Sequence, residues 1–250
     1  MKLVIESLTI KRDGKTILSN LCAEMEGPGL YQVIGPNGSG KTTLMLTILG
    51  FIKPVSGNIR IHVDKKHRGQ PLMAYMPQSY SLPSEAPITV YEFIEGYYRL
   101  TFPWPRFIRR KPDIYERVSK TLELVKIPRS LWNERLRNLS GGMIQRVFLA
   151  RTLVLDAPIL VLDEPLSNID PEGKVEISEL LGRLSRDKLI IITSHDPILL
   201  LDYTKKILLL GYGYYAYGSV DEILKYEVLS KFYKKCAVEL EKHVHIADWH

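Results

Sequence analysis

Residues 35 to 42 read Gly35-Pro36-Asn37-Gly38-Ser39-Gly40-Lys41-Thr42, with Thr43 directly behind them. Phosphate chemistry uses this G-x-x-x-x-G-K-[ST] spacing. Glycines let successive backbone N–H groups turn inward around an anionic chain, and a helix opening just after them adds its positive end. Lys41 is then placed to reach the β- and γ-phosphates of a nucleotide, and the Thr42 hydroxyl to coordinate Mg²⁺. A nucleotide held this way needs a carboxylate for the metal and a base for the attacking water, both at the carboxyl end of a neighbouring buried strand. Ile159-Leu160-Val161-Leu162-Asp163-Glu164 supplies them. Asp163 is expected to hold Mg²⁺ through water, and Glu164, one residue further on, to polarise the nucleophilic water.

A second anion cradle follows from Leu139-Ser140-Gly141-Gly142-Met143, which opens the segment Ile144-Gln145-Arg146-Val147-Phe148-Leu149-Ala150-Arg151. Ser140 is a natural N-cap for that helix. The paired glycines admit a close approach to its N-terminus, where a hydroxyl and free N–H groups form an anion site. One phosphate chain does not need two such cradles.

The elements that must position these residues can be read from periodicity. Alternation through Leu3, Ile5, Leu8 and Ile10, an Asp13-Gly14 turn and the apolar run from Ile17 to Met25 predict a mainly antiparallel β subdomain over 1–34. Gly29 to Ile34 is a short buried strand leading into the glycine loop, and helix-length apolar sequence follows. From Ser79 to Asn138 prolines separate amphipathic segments, of which Tyr91 to Leu100 and Ile114 to Val125 have helical period. This predicts a helical subdomain inserted over 79–138. Ile159 to Leu162 and Leu189 to Thr193 read as buried parallel strands. Ile207 to Tyr217 reads as a closing hairpin, and 219–250 as a helical, polar tail. The expected fold class is α/β: a P-loop nucleotide-triphosphatase core with a mixed sheet, the antiparallel subdomain and the helical insertion.

Composition narrows the function classes. The chain has 250 residues, 45% hydrophobic and 25% charged, which excludes disordered and collagen-like classes. A net charge of +6 suits an acidic partner, whether nucleotide, nucleic acid or anionic membrane surface. Cys22 and Cys236 are the only cysteines, which makes neither a disulfide framework nor a thiolate zinc site and suits a reducing cytosol. Glu6 breaks the first apolar stretch before a secretory segment could form, and no apolar run approaches the roughly 20 residues of a membrane helix. Action at a membrane would therefore require a partner.

Gly35 to Thr42, Gln78, Leu139 to Met143, Asp163-Glu164, Ser167-Asn168-Ile169-Asp170 and His195 stand in the order and rough spacing of ABC-type ATPase cassettes. The chain resembles that family over nearly its whole length. The resemblance implies ATP and Mg²⁺ as ligands and a head-to-tail dimer with a second ATPase subunit, either a copy of this chain or a related one. Ser140, Gly141 and Gly142 of one subunit would close on ATP held by the other's phosphate loop, which accounts for the second cradle. It also makes Gln78 the Q-loop residue linking metal and water to the helical subdomain. Asp170 becomes the D-loop carboxylate at the dimer interface, and His195 the switch histidine beside the γ-phosphate. Two positions depart from the family pattern. Met143 replaces the usual glutamine and cannot hydrogen-bond as an amide. Arg12 stands where an aromatic residue usually stacks on adenine; its guanidinium either stacks on the base or lies in an exposed turn.

A lone cassette of this kind is expected to work at the cytoplasmic face of a membrane, docked on separate permease subunits and served by a solute-binding protein. Tyr80, Tyr91, Phe93 and Tyr97 either receive a permease helix or are ordinary core. Subfamily texture in Arg99 to Arg110, Arg146 to Arg151 and Tyr214 to Gly218 resembles the metal-uptake branch, which imports zinc, manganese or iron chelates. His243, His245, Asp248 and His250 either bind metal or belong to a frayed tail. The alternative is a soluble ABC-type ATPase acting on nucleic acid or ribosomes, using the basic aromatic run Phe102 to Lys111. No long coiled coil or second cassette accompanies that run, so no nucleic-acid partner is expected.

Overall fold

The computed structural model describes residues 1–12, 14–63, 71–78, 87–101, 111–194, 197–233, 237–240 and 243–246. Strands β1 (Lys2–Arg12), β2 (Lys15–Glu26), β3 (Gly29–Ile34), β4 (Ser56–His62) and β5 (Met73–Met76) are joined between β3 and β4 by helix α1 (Lys41–Ile48). Helices α2 (Val90–Thr101), α3 (Lys111–Leu124) and α4 (Gly141–Leu153) come next, then β6 (Ile159–Asp163), α5 (Pro171–Leu184) and β7 (Leu189–Thr193). The chain continues through β8 (Thr204–Leu210), β9 (Tyr215–Gly218), α6 (Val220–Ile223), α7 (Tyr226–Tyr233), β10 (Ala237–Leu240) and β11 (His243–Ile246).

The central sheet has strand order β5-β6-β7-β3-β8-β9, parallel throughout except for the antiparallel β8–β9 pair. Strands β6 and β7 are buried along their whole length, which is why Ile159 to Leu162 and Leu189 to Ile192 read as unbroken apolar runs. Along β6 and β7 the side chains alternate between two cores. Leu160, Leu162, Ile190 and Ile192 pack with α2, α3, α4 and α5, while Ile159, Val161, Leu189 and Ile191 pack with α1, β1 and β2. A smaller cluster sets Ile223, Leu229 and Phe232 of α6 and α7 on Ile34, Ile207 and Leu209.

A separate antiparallel sheet has the order β2-β1-β4. The three-residue step from Ile5 to Leu8 in the apolar pattern is a bulge: the β1–β2 register shifts there, and Ser7 takes φ 46°. Membership differs from the expectation for 1–34. Gly29–Ile34 belongs to the central sheet, and Ser56–His62 supplies the third antiparallel strand. Strand β4 exposes alternate residues and opens on Ser56-Gly57-Asn58, which in sequence reads as a turn.

The segments with helical period are helices: Val90–Thr101 and Lys111–Leu124, followed by short 3₁₀ turns at Arg129–Leu131 and Leu136–Asn138. The tail is not helical throughout. After α6 and α7 it forms the antiparallel pair β10–β11, Ala237 opposite Ile246 and Leu240 opposite His243. Val238 and Leu240, then Val244 and Ile246, repeat every second residue, a strand period rather than a helical one. Cys236, Asp248 and His250 lie outside the described residues, as do Asp13, Tyr80 and 102–110. Among the described residues no helix is long and apolar enough to cross a membrane.

Candidate active site

The carboxyl ends of β3, β5, β6 and β7 lie side by side, and each delivers a functional residue there, as open parallel sheets do. From β3 the chain enters the glycine loop directly. Gly35 takes φ 150°, and a Cβ there would stand 2.3 Å from the Leu210 carbonyl oxygen. Gly40 takes φ 99°, and its Cβ would stand 2.3 Å from Ile17 Cγ2 on β2. Only glycine fits at either place. Gly40 is the N-cap of α1, gives that helix no side-chain cap and leaves no acidic residue in its first turn. The N-terminal N–H groups are thus left for an anion.

Lys41 is 7% exposed and bends back over the loop, its Nζ donating to the Gly35 carbonyl at 2.7 Å and the Pro36 carbonyl at 3.3 Å. Ser39 is buried within the loop and its Oγ has no hydrogen-bond partner. A buried hydroxyl without a partner is costly, and a phosphate oxygen seated in the loop would satisfy it. The Tyr212 hydroxyl, from the β8–β9 connection, donates to the Asn37 carbonyl at 3.0 Å and steadies the crest.

The two acidic residues sit at the end of β6. Asp163 is fully buried, and its Oδ2 accepts from the Thr42 hydroxyl at 2.7 Å while Oδ1 accepts from the Thr193 hydroxyl at 2.5 Å. Burial pushes the Asp163 carboxyl up from its ordinary value, while the Thr193 and Thr42 hydroxyls pull it down. Tyr75 on β5 is pushed up to about 12 by its own burial and by the Asp163 charge. A threonine hydroxyl meeting a buried carboxylate is the hard-oxygen set that Mg²⁺ takes, so the residues fit that ion. Glu164 is the next residue, with φ 52° in the left-handed region. Its amide donates to Thr193 Oγ1 at 2.9 Å, and its carbonyl accepts from Gln145 Nε2 at 3.0 Å and Ser167 Oγ at 2.9 Å. This backbone conformation is sparsely populated for residues other than glycine and persists here because both peptide groups are held.

Gln78 is exposed two residues beyond β5, whose last residue, Met76, pairs with Leu162, the residue before Asp163. Arg12 ends β1 opposite Lys15, on the hairpin whose Ile17 touches Gly40, and its side chain is exposed. His195 lies outside the described residues; β7, which leads to it, ends at Thr193.

Ser140 caps α4, its Oγ accepting from the Met143 amide at 3.3 Å. A Cβ on Gly142 would lie 3.2 Å from the Asn168 carbonyl oxygen, so the signature glycines admit the loop that follows Glu164. Asp170 is exposed and caps α5, accepting from the Gly173 amide at 3.2 Å. Among the aromatic residues weighed for docking, Phe93 packs edge-on against Phe148 at 5.2 Å, and the Arg151 guanidinium lies 4.1 Å from the Tyr97 ring centre. Both are partly buried against the main core.

Sequence reasoning missed Thr193 and Gln145. Thr193 is the one polar residue of its strand, and the strand register sets it opposite Asp163. Gln145 is a polar residue at 3% exposure in a helix that also buries Val147, Phe148 and Leu149, a signal visible as a glutamine just ahead of that apolar run.

A glycine loop running from a parallel strand into a helix, with a hydroxyl–carboxylate pair at the next strand ends, defines a P-loop nucleotide triphosphatase. The ABC transporter family matches residues 18–167, more than half of the chain. The chain belongs to that family and is an ATPase of it. It is 32% identical over 239 residues to the zinc import ATP-binding protein ZnuC of Wolbachia pipientis wMel, covering 95% of this chain and 91% of that one. A Thermotoga maritima relative named "Probable metal transport system ATP-binding protein" is 37% identical over 227 residues, 89% of this chain and 87% of the relative. Among solved structures, the dimeric structure of MJ0796, a bacterial ABC transporter cassette, has a TM-score of 0.72 at 23% identity, over 84% of this chain and 95% of that one. That likeness shows the fold.

Proposed function

We propose that the chain is the ATP-binding subunit of a metal-ion or metal-chelate importer, working as a head-to-tail dimer on permease subunits at the cytoplasmic face of a membrane. A solute-binding protein would deliver the cargo. The cargo class rests on the names of the relatives above. The observation that carries the chemistry is the hydrogen-bonded chain Thr42–Asp163–Thr193–Glu164, which joins the phosphate loop to the base on adjacent strand ends.

Gly35, Pro36, Asn37, Gly38, Ser39, Gly40 and Thr43 wrap the phosphates, and Lys41 exchanges the Gly35 and Pro36 carbonyls for β- and γ-phosphate oxygens. Thr42, Gln78 and Asp163 would hold Mg²⁺, directly or through water. When bound, that ion neutralises charge developing between the β- and γ-phosphates. Glu164 orients the attacking water and takes its proton. His195 contacts the γ-phosphate. Ser140, Gly141 and Gly142 close on it from the other subunit, Asp170 lies at that interface, and Arg12 stacks on the adenine. Nothing in the relatives favours the nucleic-acid or ribosome alternative.

Glu164→Gln keeps the shape of the base without its proton affinity. Steady hydrolysis should fall by about 10²–10⁴-fold, while ATP binding survives and a dimer accumulates with Mg-ATP, seen by size-exclusion chromatography with light scattering. Ordinary turnover in this variant would remove Glu164 from the role, and a persistent monomer would remove the clasp.

A further inference from the structure

Gln145 lies inside the helix whose N-terminus is the Ser140–Gly142 cradle, and its amide reaches the loop that follows β6. Its Nε2 donates to the Glu164 carbonyl at 3.0 Å and to Ser167 Oγ at 3.3 Å, and the Ser167 hydroxyl donates to the same carbonyl at 2.9 Å. Residue 164 is in the left-handed region, so the direction of its side chain depends on how its two peptide groups are held. Thr193 holds the amide from β7, and Gln145 holds the carbonyl from α4. The close fit of Gly142 against the Asn168 carbonyl joins the same helix to the same loop a second time.

We propose that Gln145 is a positioning residue that relays between the two composite ATP sites of the dimer. The inference rests on the reading of Glu164 as base and of Ser140–Gly142 as the cradle for the partner's nucleotide. When α4 closes on the partner's γ-phosphate, the Gln145 amide moves with it and draws the Glu164 carbonyl, aiming the carboxylate at the nucleotide in its own chain's loop. Closure at one site thereby sets the base of the other. The link is a hydrogen bond within one chain, so its loss harms the site whose Glu164 shares that chain.

Mixed dimers isolated through two affinity tags test this, scored by ATP cleavage in a single turnover. In the first, Q145M stands on the chain with intact Glu164 and the partner carries E164Q. In the second, Q145M and E164Q share one chain and the partner is unaltered. Each dimer holds one intact base and one Q145M, so any loss of folding or dimer stability is common to both. Cleavage in the first should be about 10–100-fold slower than in the second, the scale of a misaligned reacting group, with equal ATP affinity. Equal rates, or a slower second dimer, overturn the relay. Q145L, of similar size and with no N–H to donate, should order the two dimers in the same way; equal rates there overturn it too. Failure of the underlying reading looks different: the E164Q homodimer would then cleave ATP as fast as the unaltered protein.

Discussion

Thr193 has a single hydroxyl and two neighbours that depend on it. It donates to Asp163 at 2.5 Å and accepts from the Glu164 amide at 2.9 Å, so one oxygen fixes a carboxylate and the peptide of the next residue. Valine has nearly the same shape and neither capacity. Thr193→Val therefore leaves a buried carboxylate oxygen and a buried amide unsatisfied, at about 1–3 kcal/mol each. The urea midpoint should fall accordingly, and ATP hydrolysis with it, because the carboxylate can then turn away from Thr42. Thr193→Ser, which keeps the hydroxyl, should recover both; a valine variant with an unchanged midpoint would show the contacts to be idle. Asp163 and Glu164 could be found in the sequence because an acidic pair closing an apolar strand is local. Thr193 could not, because its partner is 30 residues away and only the β6–β7 register brings Asp163 and Thr193 opposite each other.

Strand β2 is an edge of its sheet, and edges expose unpaired peptide groups. Here alternate residues along that edge are taken up by tyrosine hydroxyls from the central sheet. Tyr215 accepts from the Cys22 amide at 3.0 Å and donates to the Asn20 carbonyl at 3.3 Å, while Tyr217 donates to the Glu24 carbonyl. Tyr31 both accepts from the Glu26 amide and donates to its carbonyl, each at 2.8 Å. Three phenols thus stitch the antiparallel sheet that abuts the phosphate loop to the sheet that bears it. Burial, with the neighbouring Tyr31 and Glu24 charges adding to it, raises the Tyr217 phenol well above its ordinary 10.0. A group held more tightly protonated when folded stabilises fully below its unfolded pKa and ceases to as pH climbs toward the folded value. Stability should therefore decline from about pH 10 upward. Tyr217→Phe should flatten that alkaline limb in a thermal-melt series and lower stability near neutral pH by about 1 kcal/mol; an unaltered limb would assign the alkaline loss elsewhere. The sequence shows Tyr215 and Tyr217 two residues apart, but not what they reach, since a phenol on a strand is equally at home in core or solvent. Strands β6 and β7 were legible for the opposite reason: burial on both faces writes an unbroken apolar run. The tail was misread because helical residues through Tyr233 are followed by short period-two segments that composition alone does not separate from them.

At the scale of the molecule, α2 and α3 attach to the rest of the chain mostly through apolar side chains continuous with the main core. One polar knot interrupts it. Arg146, 7% exposed on α4, donates to the Val125 carbonyl at the end of α3 at 3.0 Å and to Glu176 Oε2 on α5 at 2.7 Å. Lys126 reaches the other Glu176 oxygen at 2.6 Å, and Gly173 leaves space for the guanidinium, since a Cβ there would lie 2.8 Å from it. Insertion, signature helix and the helix after Asp170 meet at this one carboxylate. Hydrogen bonds from Lys126 and Arg146 hold the Glu176 carboxyl below its ordinary 4.5. Its contribution is therefore present above that value and lost as pH falls through the lower, folded one. Glu176→Gln should remove this acid-limb dependence. At neutral pH it leaves the Arg146 guanidinium without its anionic partner, at about 1–3 kcal/mol. Hydrogen exchange locates the effect: amides of α3 should open faster in the variant while those of β6 and β7 keep their protection, because the knot's hydrogen bonds run among Val125, Lys126, Arg146 and Glu176. Uniform acceleration through both regions would mean that Glu176 supports the whole fold rather than the joint between insertion and core.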